Sequence, residues 1–231
     1  MNAETPLAGV IFDLDGTLVD SVPMSLSITN AMLAERGSPR RMSYAEALPF
    51  ASFGGAALVS GLLSEDCRDL DSDLATFRRR YAATRTPAES IYRGVEAMLA
   101  TLAEAGLLLA VCSNKPQHLC DKVLGELGID RHFTAVVGSS DRLPPKPAPD
   151  MLDAAVERLG LACGQCVMVG DSEVDLALAR TRAMDCLFVD YGYGNADDLL
   201  PSSHRFADCA ALAKALLMRA SQPARRTNAA E

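Results

Sequence analysis

The chain has 231 residues, 49% of them hydrophobic, and a formal net charge of −8 at pH 7. This length and composition suffice for one sizeable core, or for a core with a smaller inserted domain. The acidic balance argues against a nucleic-acid or anionic-membrane surface, so neither a nucleic acid nor a membrane is expected as a partner.

Two further exclusions follow from the pattern of apolar residues and cysteines. No apolar run approaches the roughly 20 residues of a membrane span, and no signal-peptide pattern is present, which predicts a cytoplasmic protein. The seven cysteines are an odd number and scattered, unlike a disulfide framework. Cys163 and Cys166 form a CxxC pair without a second pair or a nearby histidine. Two ordinary thiols in a turn are therefore favoured over a zinc or redox site.

Five short apolar runs alternate with helical patterns along the chain. The runs are continuous, as expected for strands that helices cover on both faces. They are Val10–Phe12, Leu107–Cys112, Ala135–Val137, Cys166–Val169 and Cys186–Val189. Apolar residues at helical spacing occupy Val95–Ala105, Leu119–Leu127 and Met151–Leu159. The alternation predicts an α/β fold with a Rossmann-like parallel sheet core and helices on both faces.

The first two predicted strands are separated by more residues than one crossover needs. Residues 18–86 contain helical patterns, clearest at Leu26–Leu33 and Leu74–Tyr81, and no convincing strand. We therefore predict a core domain of residues 1–17 and 87–231, with residues 18–86 inserted as a helical domain above the sheet. The final residues, 220–231, lack a periodic pattern and are expected to be disordered.

A pair of aspartates follows the first predicted strand. Asp13 and Asp15 lie two residues apart, so on an extended chain their side chains face the same site. Two carboxylates held together repel each other unless a cation or a proton separates them. Such pairs are where nucleophile, acid, base and metal-ligand roles are divided.

Polar residues also follow the second and third strands. Ser113 and Asn114 precede a helix, which suits an anion cradle but equally a helix cap followed by an early proline. Lys146 lies among four prolines of the segment Pro144–Pro149. Prolines stiffen the backbone, so this scarce lysine is either held rigidly for a purpose or simply solvated in a turn.

The fourth strand is followed by two more acids. Asp175 stands at capping-box spacing from Ser172, which is a structural alternative for it, whereas Asp171 has no such explanation. In an open α/β sheet, ligands bind beyond the carboxyl ends of the strands, so the polar groups named above converge there. Many carboxylates suit Mg²⁺, while lysine, serine and helix N-termini suit a phosphate. Together they indicate phosphoryl transfer.

These motifs, in this order and spacing, resemble those of the haloacid dehalogenase superfamily. The matching residues are Asp13-x-Asp15-Gly16-Thr17, Ser113, Lys146 and Gly170-Asp171-x-x-x-Asp175, and the likeness spans roughly residues 8 to 218. Within that superfamily, Ser113-Asn114-Lys115-Pro116, the Lys146 loop and Tyr191-Gly192-Tyr193-Gly194 are similar to the phosphoglycolate phosphatase versions. The resemblance implies that the helical insertion is a cap of type C1, with Phe53, Gly54 and Gly55 as its substrate-specificity loop.

The resemblance also implies a role for each motif residue. Asp13 is expected to attack phosphorus and form an aspartyl-phosphate, and Asp15 to act as general acid and base. Mg²⁺ is expected on Asp13, on the backbone carbonyl of Asp15 and on Asp171, with Asp175 in the inner or outer shell. The phosphoryl oxygens are expected to contact Ser113, Asn114 and Lys146.

The expected function is Mg²⁺-dependent hydrolysis of a small phosphomonoester, 2-phosphoglycolate first, with a sugar phosphate or nucleotide monophosphate as alternative. A dehalogenase lacks the second aspartate, and a phosphonate hydrolase needs a cap lysine, whereas no lysine precedes Lys115. A sugar-phosphate mutase is disfavoured because no histidine lies in the insertion, and a silent binding module because every motif residue is present. The chain is expected to be a monomer or homodimer.

Some residues of the insertion and of its start have two alternative interpretations each. A substrate carboxylate needs a cationic or amide-rich partner, which the Gly54–Gly55 amides or Arg41 are able to supply. Asp20 and Ser21, at the expected hinge, are interpreted as a hinge cap rather than as a contact to the closed cap.

Overall fold

The structure, a computed structural model, describes residues 6–195 and 200–221. Its strands are β1 (Gly9–Phe12), β2 (Leu108–Pro116), β3 (Ala135–Ser139), β4 (Cys166–Gly170), β5 (Asp185–Val189) and β6 (Arg205–Phe206). They form one sheet in the order β3-β2-β1-β4-β5-β6, and every neighbouring pair is parallel. The predicted Rossmann-like parallel α/β core is confirmed.

The boundaries of β1, β3, β4 and β5 differ from the predicted ones by one or two residues, and those of β2 by more. Strand β2 continues past the predicted end at Cys112 to Pro116. Ser113 and Asn114 therefore lie within the last residues of the strand and not beyond it. Its register against β3 shifts between Ser113 and Pro116, where the extended chain is irregular. Strand β6 was not predicted, because two residues are too short to show an apolar run.

Nine α-helices occur in the described part of the chain. They are α1 (Val22–Glu35), α2 (Tyr44–Ala51), α3 (Gly55–Leu63), α4 (Leu70–Ala83), α5 (Val95–Glu104), α6 (Gln117–Leu127), α7 (Asp150–Leu159), α8 (Glu173–Arg180) and α9 (Cys209–Ala220). The predicted helices correspond to α1, α4, α5, α6 and α7. Helices α1 and α4 are longer than predicted, because an apolar pattern marks the buried face and not the polar ends.

Helices cover both faces of the sheet, as predicted. Alternate residues of a strand point to opposite faces, and the hydrophobic core is accordingly divided in two. One half contains Phe12 of β1 with side chains of α5, α6 and α9. The other contains Ile11 with side chains of α7 and α8. With both faces covered by apolar side chains, the carboxyl edge of the strands is where polar groups gather.

Helices α1 to α4 lie between β1 and β2 in the chain and pack on one another. We call them the helical insertion. Their apolar residues, among them Met32, Val59 and Phe77, are buried. Arg36 and Asp73 form an ion pair between the end of α1 and α4, and Arg80 binds Glu35 at 2.6 Å. The insertion is helical, as expected, while its standing as a separate domain stays a prediction.

Three remaining expectations concern the chain ends, the membrane and the cysteines. Ala220 is the last residue of α9, and residues 222–231 of the predicted disordered tail lie outside the described residues. None of the helices in residues 6–195 and 200–221 is long and apolar enough to cross a bilayer. All seven cysteines are free, and Cys163 begins the short turn before β4.

Candidate active site

The end of β1 places Asp13 at the centre of the carboxyl edge. The backbone N–H of Asp13 donates to the Val169 carbonyl of β4 at 2.8 Å, which fixes it between the two central strands. The chain then turns at Gly16, whose φ is +86°. A Cβ atom at this position would lie 2.2 Å from Oδ2 of Asp171. Only glycine therefore lets this turn approach Asp171, at the end of β4, so closely.

Asp171 follows β4 and is held by two hydrogen bonds. Thr17 donates its hydroxyl to Oδ1 at 3.0 Å, and the backbone N–H of Tyr193 donates to Oδ2 at 2.7 Å. The side chain is buried, and burial, with Asp175 and Asp13 nearby, raises the pKa of Asp171 well above its usual value. Its carboxylate is thus oriented by the protein, but its negative charge is not compensated by it.

Asp13, Asp171 and Asp175 form a buried acidic cluster around Lys146. Carboxylate oxygens of the three aspartates lie within 4.8 Å of one another. The Lys146 ammonium lies 2.9 Å from Oδ1 of Asp13 and 2.7 Å from Oδ1 of Asp175. Burial, opposed by Lys146 and reinforced by Asp175, raises the pKa of Asp13 to about 6. Three carboxylates and one ammonium, when all are ionised, leave two negative charges uncompensated.

This cluster fits a hard divalent cation. Oδ1 of Asp13 is buried, and the Lys146 ammonium is its charged neighbour at 2.9 Å, but no donor satisfies this oxygen as a hydrogen bond. Buried polar atoms without a hydrogen bond are rare and call for a partner. Carboxylate oxygens with two unbalanced negative charges suit Mg²⁺, which prefers oxygen ligands. The residues present therefore fit the ion that the motifs predicted.

The Asp175 carboxylate already has partners on both oxygens. Besides Lys146 on Oδ1, the N–H and hydroxyl of Ser172 donate to Oδ2 at 3.2 and 2.6 Å. This is the capping box that the spacing suggested at the start of α8. The helix cap that was the structural alternative for Asp175 is therefore present, and this cap orients the carboxylate that binds Lys146.

The three predicted phosphate-binding residues are adjacent at this edge. Ser113 is buried near the end of β2, and its hydroxyl accepts the N–H of Lys115 at 3.3 Å. Asn114 accepts the Lys146 backbone N–H at 2.7 Å and donates to the Lys146 carbonyl at 3.3 Å. Asn114 therefore fixes the loop that carries Lys146, which is a bracing contact that sequence reasoning did not foresee. Its contact with phosphate stays a prediction.

Lys115 is a site residue to which sequence reasoning assigned no role. Its ammonium lies 2.9 Å from both carboxylate oxygens of Asp15 and 4.5 Å from the centre of the Tyr81 ring. Burial lowers the pKa of Lys115, but the attraction of Asp15 and Tyr81 for the ammonium raises it by more than burial lowers it. The net pKa is above its usual value, so the side chain stays cationic. The available signal was its scarcity and its spacing, since only four lysines occur and this one stands two residues after Ser113.

The loop between α2 and α3 brings the helical insertion to the same edge. Gly54 has a φ of +84°, and a Cβ atom there would lie 3.6 Å from Cβ of Asn114. Phe53 is 55% exposed, and Gly55 begins α3. The predicted specificity loop thus adjoins the site. Arg41, the other candidate for a substrate contact, donates to the Asn30 carbonyl within the insertion at 2.7 Å.

The start of the insertion is bonded to the core through Asp20. Oδ1 of Asp20 accepts the N–H of Val22 at 3.2 Å and the hydroxyl of Tyr193 at 3.1 Å. Oδ2 accepts the hydroxyl of Tyr44, in α2, at 3.1 Å. The Val22 bond agrees with the predicted hinge cap, and the Tyr44 bond adds the contact to the insertion that was the alternative. Tyr193 belongs to the quoted Tyr-Gly-Tyr-Gly motif, but no role had been assigned to it.

Curated proteins of similar sequence share a name. The chain is 36% identical over 190 residues to the phosphoglycolate phosphatase of Xanthomonas campestris pv. campestris, covering 82% of this chain and 86% of that protein. It is also 36% identical over 199 residues to the plasmid phosphoglycolate phosphatase of Cupriavidus necator, covering 81% and 83%.

Solved structures and a family model agree with this likeness. A structure from Lactobacillus delbrueckii subsp. bulgaricus superposes with a TM-score of 0.80 at 24% identity, covering 92% of this chain and 99% of that one, and shares the fold. Another, of a predicted phosphoglycolate phosphatase from Haemophilus somnus, has a TM-score of 0.76 at 25% identity, with 91% and 98% covered. The model described as haloacid dehalogenase-like hydrolase matches residues 10–189. The chain belongs to this haloacid dehalogenase-like hydrolase family.

Proposed function

We propose that this chain is a Mg²⁺-dependent phosphatase that hydrolyses a small phosphomonoester through an aspartyl-phosphate on Asp13. The observation that carries the proposal is the buried cluster of Asp13, Asp171 and Asp175 around Lys146, with two negative charges uncompensated. Membership of a hydrolase family and relatives named phosphatases support the same enzyme class, a phosphoric monoester hydrolase.

Asp13 is the nucleophile of this proposal and Asp15 its acid and base. A carboxylate oxygen of Asp13 bonds to phosphorus as the bond from phosphorus to the ester oxygen breaks, and Asp15 delivers a proton to that oxygen. In the second half, water attacks the same phosphorus, Asp15 takes the proton of the water, and the Asp13 carboxylate leaves. Inorganic phosphate and the free alcohol are released, and Asp15 is again protonated.

Mg²⁺ would be held by Asp13, the backbone carbonyl of Asp15 and Asp171. When bound, it supplies positive charge that screens the nucleophile from the phosphoryl oxygens. Asp175 acts from outside these ligands, because its oxygens already bind Lys146 and Ser172. Thr17 and the Tyr193 amide hold the Asp171 carboxylate in place.

Lys146, Ser113 and Asn114 form the phosphoryl-binding side. The Lys146 ammonium touches Asp13 directly, so it is placed to neutralise charge that develops where Asp13 meets the phosphoryl group. Ser113 has a buried hydroxyl at the strand end, and the Asn114 amide keeps a second N–H beyond its bond to the Lys146 carbonyl.

The helical insertion acts in this proposal as a type C1 cap, a domain of residues 18–86 on a core of residues 1–17 and 87–231. It closes over the carboxyl edge, excludes bulk water and selects the leaving group through Phe53, Gly54 and Gly55. The approach of Gly54 to Asn114 and of Tyr81 to Lys115 supports this role. The predictions of a cytoplasmic location and of a monomer or homodimer stay predictions.

The small-molecule substrate that we propose is 2-phosphoglycolate. The support is the name shared by relatives at 36% identity that cover more than four fifths of the chain. A sugar phosphate or a nucleotide monophosphate is the alternative, because it differs in the leaving group and not in the phosphoryl chemistry. A panel of phosphomonoesters ranked by kcat/KM distinguishes them.

The mechanism is tested with para-nitrophenyl phosphate, with Mg²⁺ and with a chelator. We expect chelation to abolish hydrolysis, and Asp13→Asn and Asp171→Asn each to lower kcat by about 1,000-fold or more. The matched control is Asp141→Asn, since Asp141 is exposed and outside the site, and it is expected to behave as wild type. Hydrolysis that is indifferent to both the chelator and Asp13→Asn would contradict the mechanism.

A further inference from the structure

Lys115 and Asp15 form an ion pair at the boundary between the sheet and the helical insertion. The ammonium lies 2.9 Å from each oxygen of the carboxylate, and the Lys115 side chain is only 8% exposed. The ring of Tyr81, from α4 of the insertion, lies over it at 4.5 Å. A buried cation therefore stands beside the proposed acid, on the side of the site that the insertion covers.

The position of Asp15 relates this cation to the leaving group. To protonate the ester oxygen, the Asp15 carboxyl must come within about 2.7 Å of it. The Lys115 ammonium, in contact with the same carboxyl, is then within about 6 Å of the ester oxygen. Attacking and leaving oxygens are in line, so Asp13 reaches phosphorus from the side opposite the ester oxygen, and Lys115, beside Asp15, faces the alcohol part of the substrate.

That distance matches one class of leaving group. In a 2-phospho carboxylate, the carboxylate oxygens lie three bonds from the ester oxygen, or about 3 Å away. A carboxylate there would reach the Lys115 ammonium at hydrogen-bond distance, about 2.8 Å. A neutral hydroxyl in the same place would gain much less, because bonds between charged partners are about twice as strong.

Charge balance points the same way. The site contains four aspartates, Asp13, Asp15, Asp171 and Asp175, which repel an anionic leaving group. Lys146 is already bound to Asp13 and Asp175. Lys115 is the ammonium that remains next to the leaving group, with Asp15 as its partner.

We propose that Lys115 is a specificity-determining residue that selects substrates whose leaving group carries a carboxylate close to the ester oxygen. The substrate carboxylate accepts an N–H of the ammonium beside Asp15, so the Asp15 carboxyl keeps its contact with Lys115 while it reaches the ester oxygen. A neutral leaving group gains no ion pair with the ammonium. The inference rests on the proposed phosphatase function and names the substrate class within it.

The test compares two substrates that differ only in this charge. They are 2-phosphoglycolate and 2-hydroxyethyl phosphate, in which a neutral hydroxymethyl group replaces the carboxylate. The quantity measured is the ratio of their kcat/KM values, for wild type, Lys115→Met, Lys115→Gln and Lys115→Arg. The control is Lys214→Met, which removes an exposed lysine of α9.

We expect wild type to prefer 2-phosphoglycolate, and Lys115→Met and Lys115→Gln to lower the ratio by about 10- to 100-fold. Lys214→Met is expected to keep it within about twofold. Lys115→Arg keeps the charge and is expected to retain more of the ratio than Lys115→Met, although a planar guanidinium does not reproduce the contact of the ammonium with both Asp15 oxygens. A wild type without preference for 2-phosphoglycolate would overturn the inference. So would equal losses for both substrates in folded Lys115→Met and Lys115→Gln, because Lys115 would then act only through Asp15. Either result leaves the phosphatase standing, whereas failure of wild type on every phosphomonoester with Mg²⁺ removes the proposed function itself.

Discussion

The backbone N–H of Tyr193 donates to Oδ2 of Asp171 at 2.7 Å, so the loop after β5 is bonded to a candidate metal ligand. The hydroxyl of the same tyrosine accepts the N–H of Ser21 at 2.7 Å and donates to Asp20 at 3.1 Å. One residue therefore touches both the acidic cluster and the start of the helical insertion. A displacement of the start of the insertion that moves Tyr193 is therefore expected to shift Asp171 as well.

Tyr193→Phe separates these two contacts, because it keeps the backbone bond to Asp171 and removes the hydroxyl. We expect the free energy of unfolding to fall by about 1–2 kcal/mol, since the Ser21 N–H loses its acceptor. Hydrogen exchange at the Ser21 amide is expected to accelerate. Exchange measured by NMR and denaturant unfolding check the two effects.

Tyr191→Phe is the matched control, because the Tyr191 hydroxyl donates to the Thr17 carbonyl at 3.1 Å and not to the hinge. A similar loss of stability without faster exchange at Ser21 is expected. If both variants accelerate Ser21 exchange equally, the hinge contact of Tyr193 has no special effect.

Gly16→Ala is expected to displace Asp171. The new methyl group would stand 2.2 Å from Oδ2 of Asp171, in a backbone with φ of +86° that alanine disfavours. Because a proposed metal ligand then moves, we expect kcat for para-nitrophenyl phosphate to fall by about 100-fold or more. The Mg²⁺ concentration for half-maximal activity should rise.

Gly37→Ala controls for the backbone strain alone. Gly37 has a similar φ of +73°, and nothing lies within 4 Å of the added methyl group. It is expected to cost about 1 kcal/mol of stability and to leave kcat as in wild type. Equal kinetic losses in the two variants would show that strain, and not the contact with Asp171, is responsible.

Asn114→Ala is expected to weaken phosphate binding through Lys146. The substitution removes the acceptor of the Lys146 N–H and the donor to the Lys146 carbonyl, so the loop loses its brace to β2. We expect the inhibition constant of inorganic phosphate to rise by about 10-fold, as measured by product inhibition.

Gln117→Ala removes a comparable brace elsewhere. The Gln117 side chain accepts the N–H of Gly138 at 2.7 Å, next to the site but without contact to Lys146. Its loss is expected to lower stability similarly and to change the phosphate inhibition constant by less than about twofold. The same rise in both variants would argue against a specific role of Asn114.

Glu126 makes stability depend on acidic pH. Burial alone would raise its pKa, but hydrogen bonds from Lys122 and from the Thr86 backbone outweigh this and lower it to about 2. A folded-state pKa below the unfolded value of 4.5 stabilises the protein above that pH. This contribution is lost as pH falls toward 2.

Glu126→Gln therefore should cost stability at pH 7 and progressively less as the pH drops from 5 toward 2. Urea unfolding of both proteins across this range measures the difference. A difference that stays constant with pH would mean that Glu126 acts as a neutral hydrogen-bond acceptor and not as an ionised group.

Much of the site was predictable because its residues stand at strand ends. The apolar run Val10–Phe12 and the turn at Gly16 are local features, and they place Asp13 and Asp15 at the carboxyl edge without further information. The same holds for Asp171 after β4. In a parallel sheet these ends meet at one edge whatever the order of the strands, so convergence followed from the fold class.

The partners of these residues were less predictable. The phosphate contact of Asn114 stays a prediction, and the bonds of its amide to the Lys146 backbone were not foreseen. Tyr193 was quoted within a motif, but its contacts are with Asp171, Ser21 and Asp20, far away in the chain. Such contacts depend on loop paths between elements, which periodicity does not describe.

The sequence by itself determined which chemistry is possible at the carboxyl edge, because apolar runs and their glycine boundaries are set by neighbouring residues. Only the tertiary structure decided that Lys146 serves Asp13 and Asp175, and that Lys115 serves Asp15. The physical reason is that the attraction between two charges depends on their distance in space and not on their separation along the chain. With 22 cationic and 30 acidic residues in the chain, the order β3-β2-β1-β4 selects which of them meet.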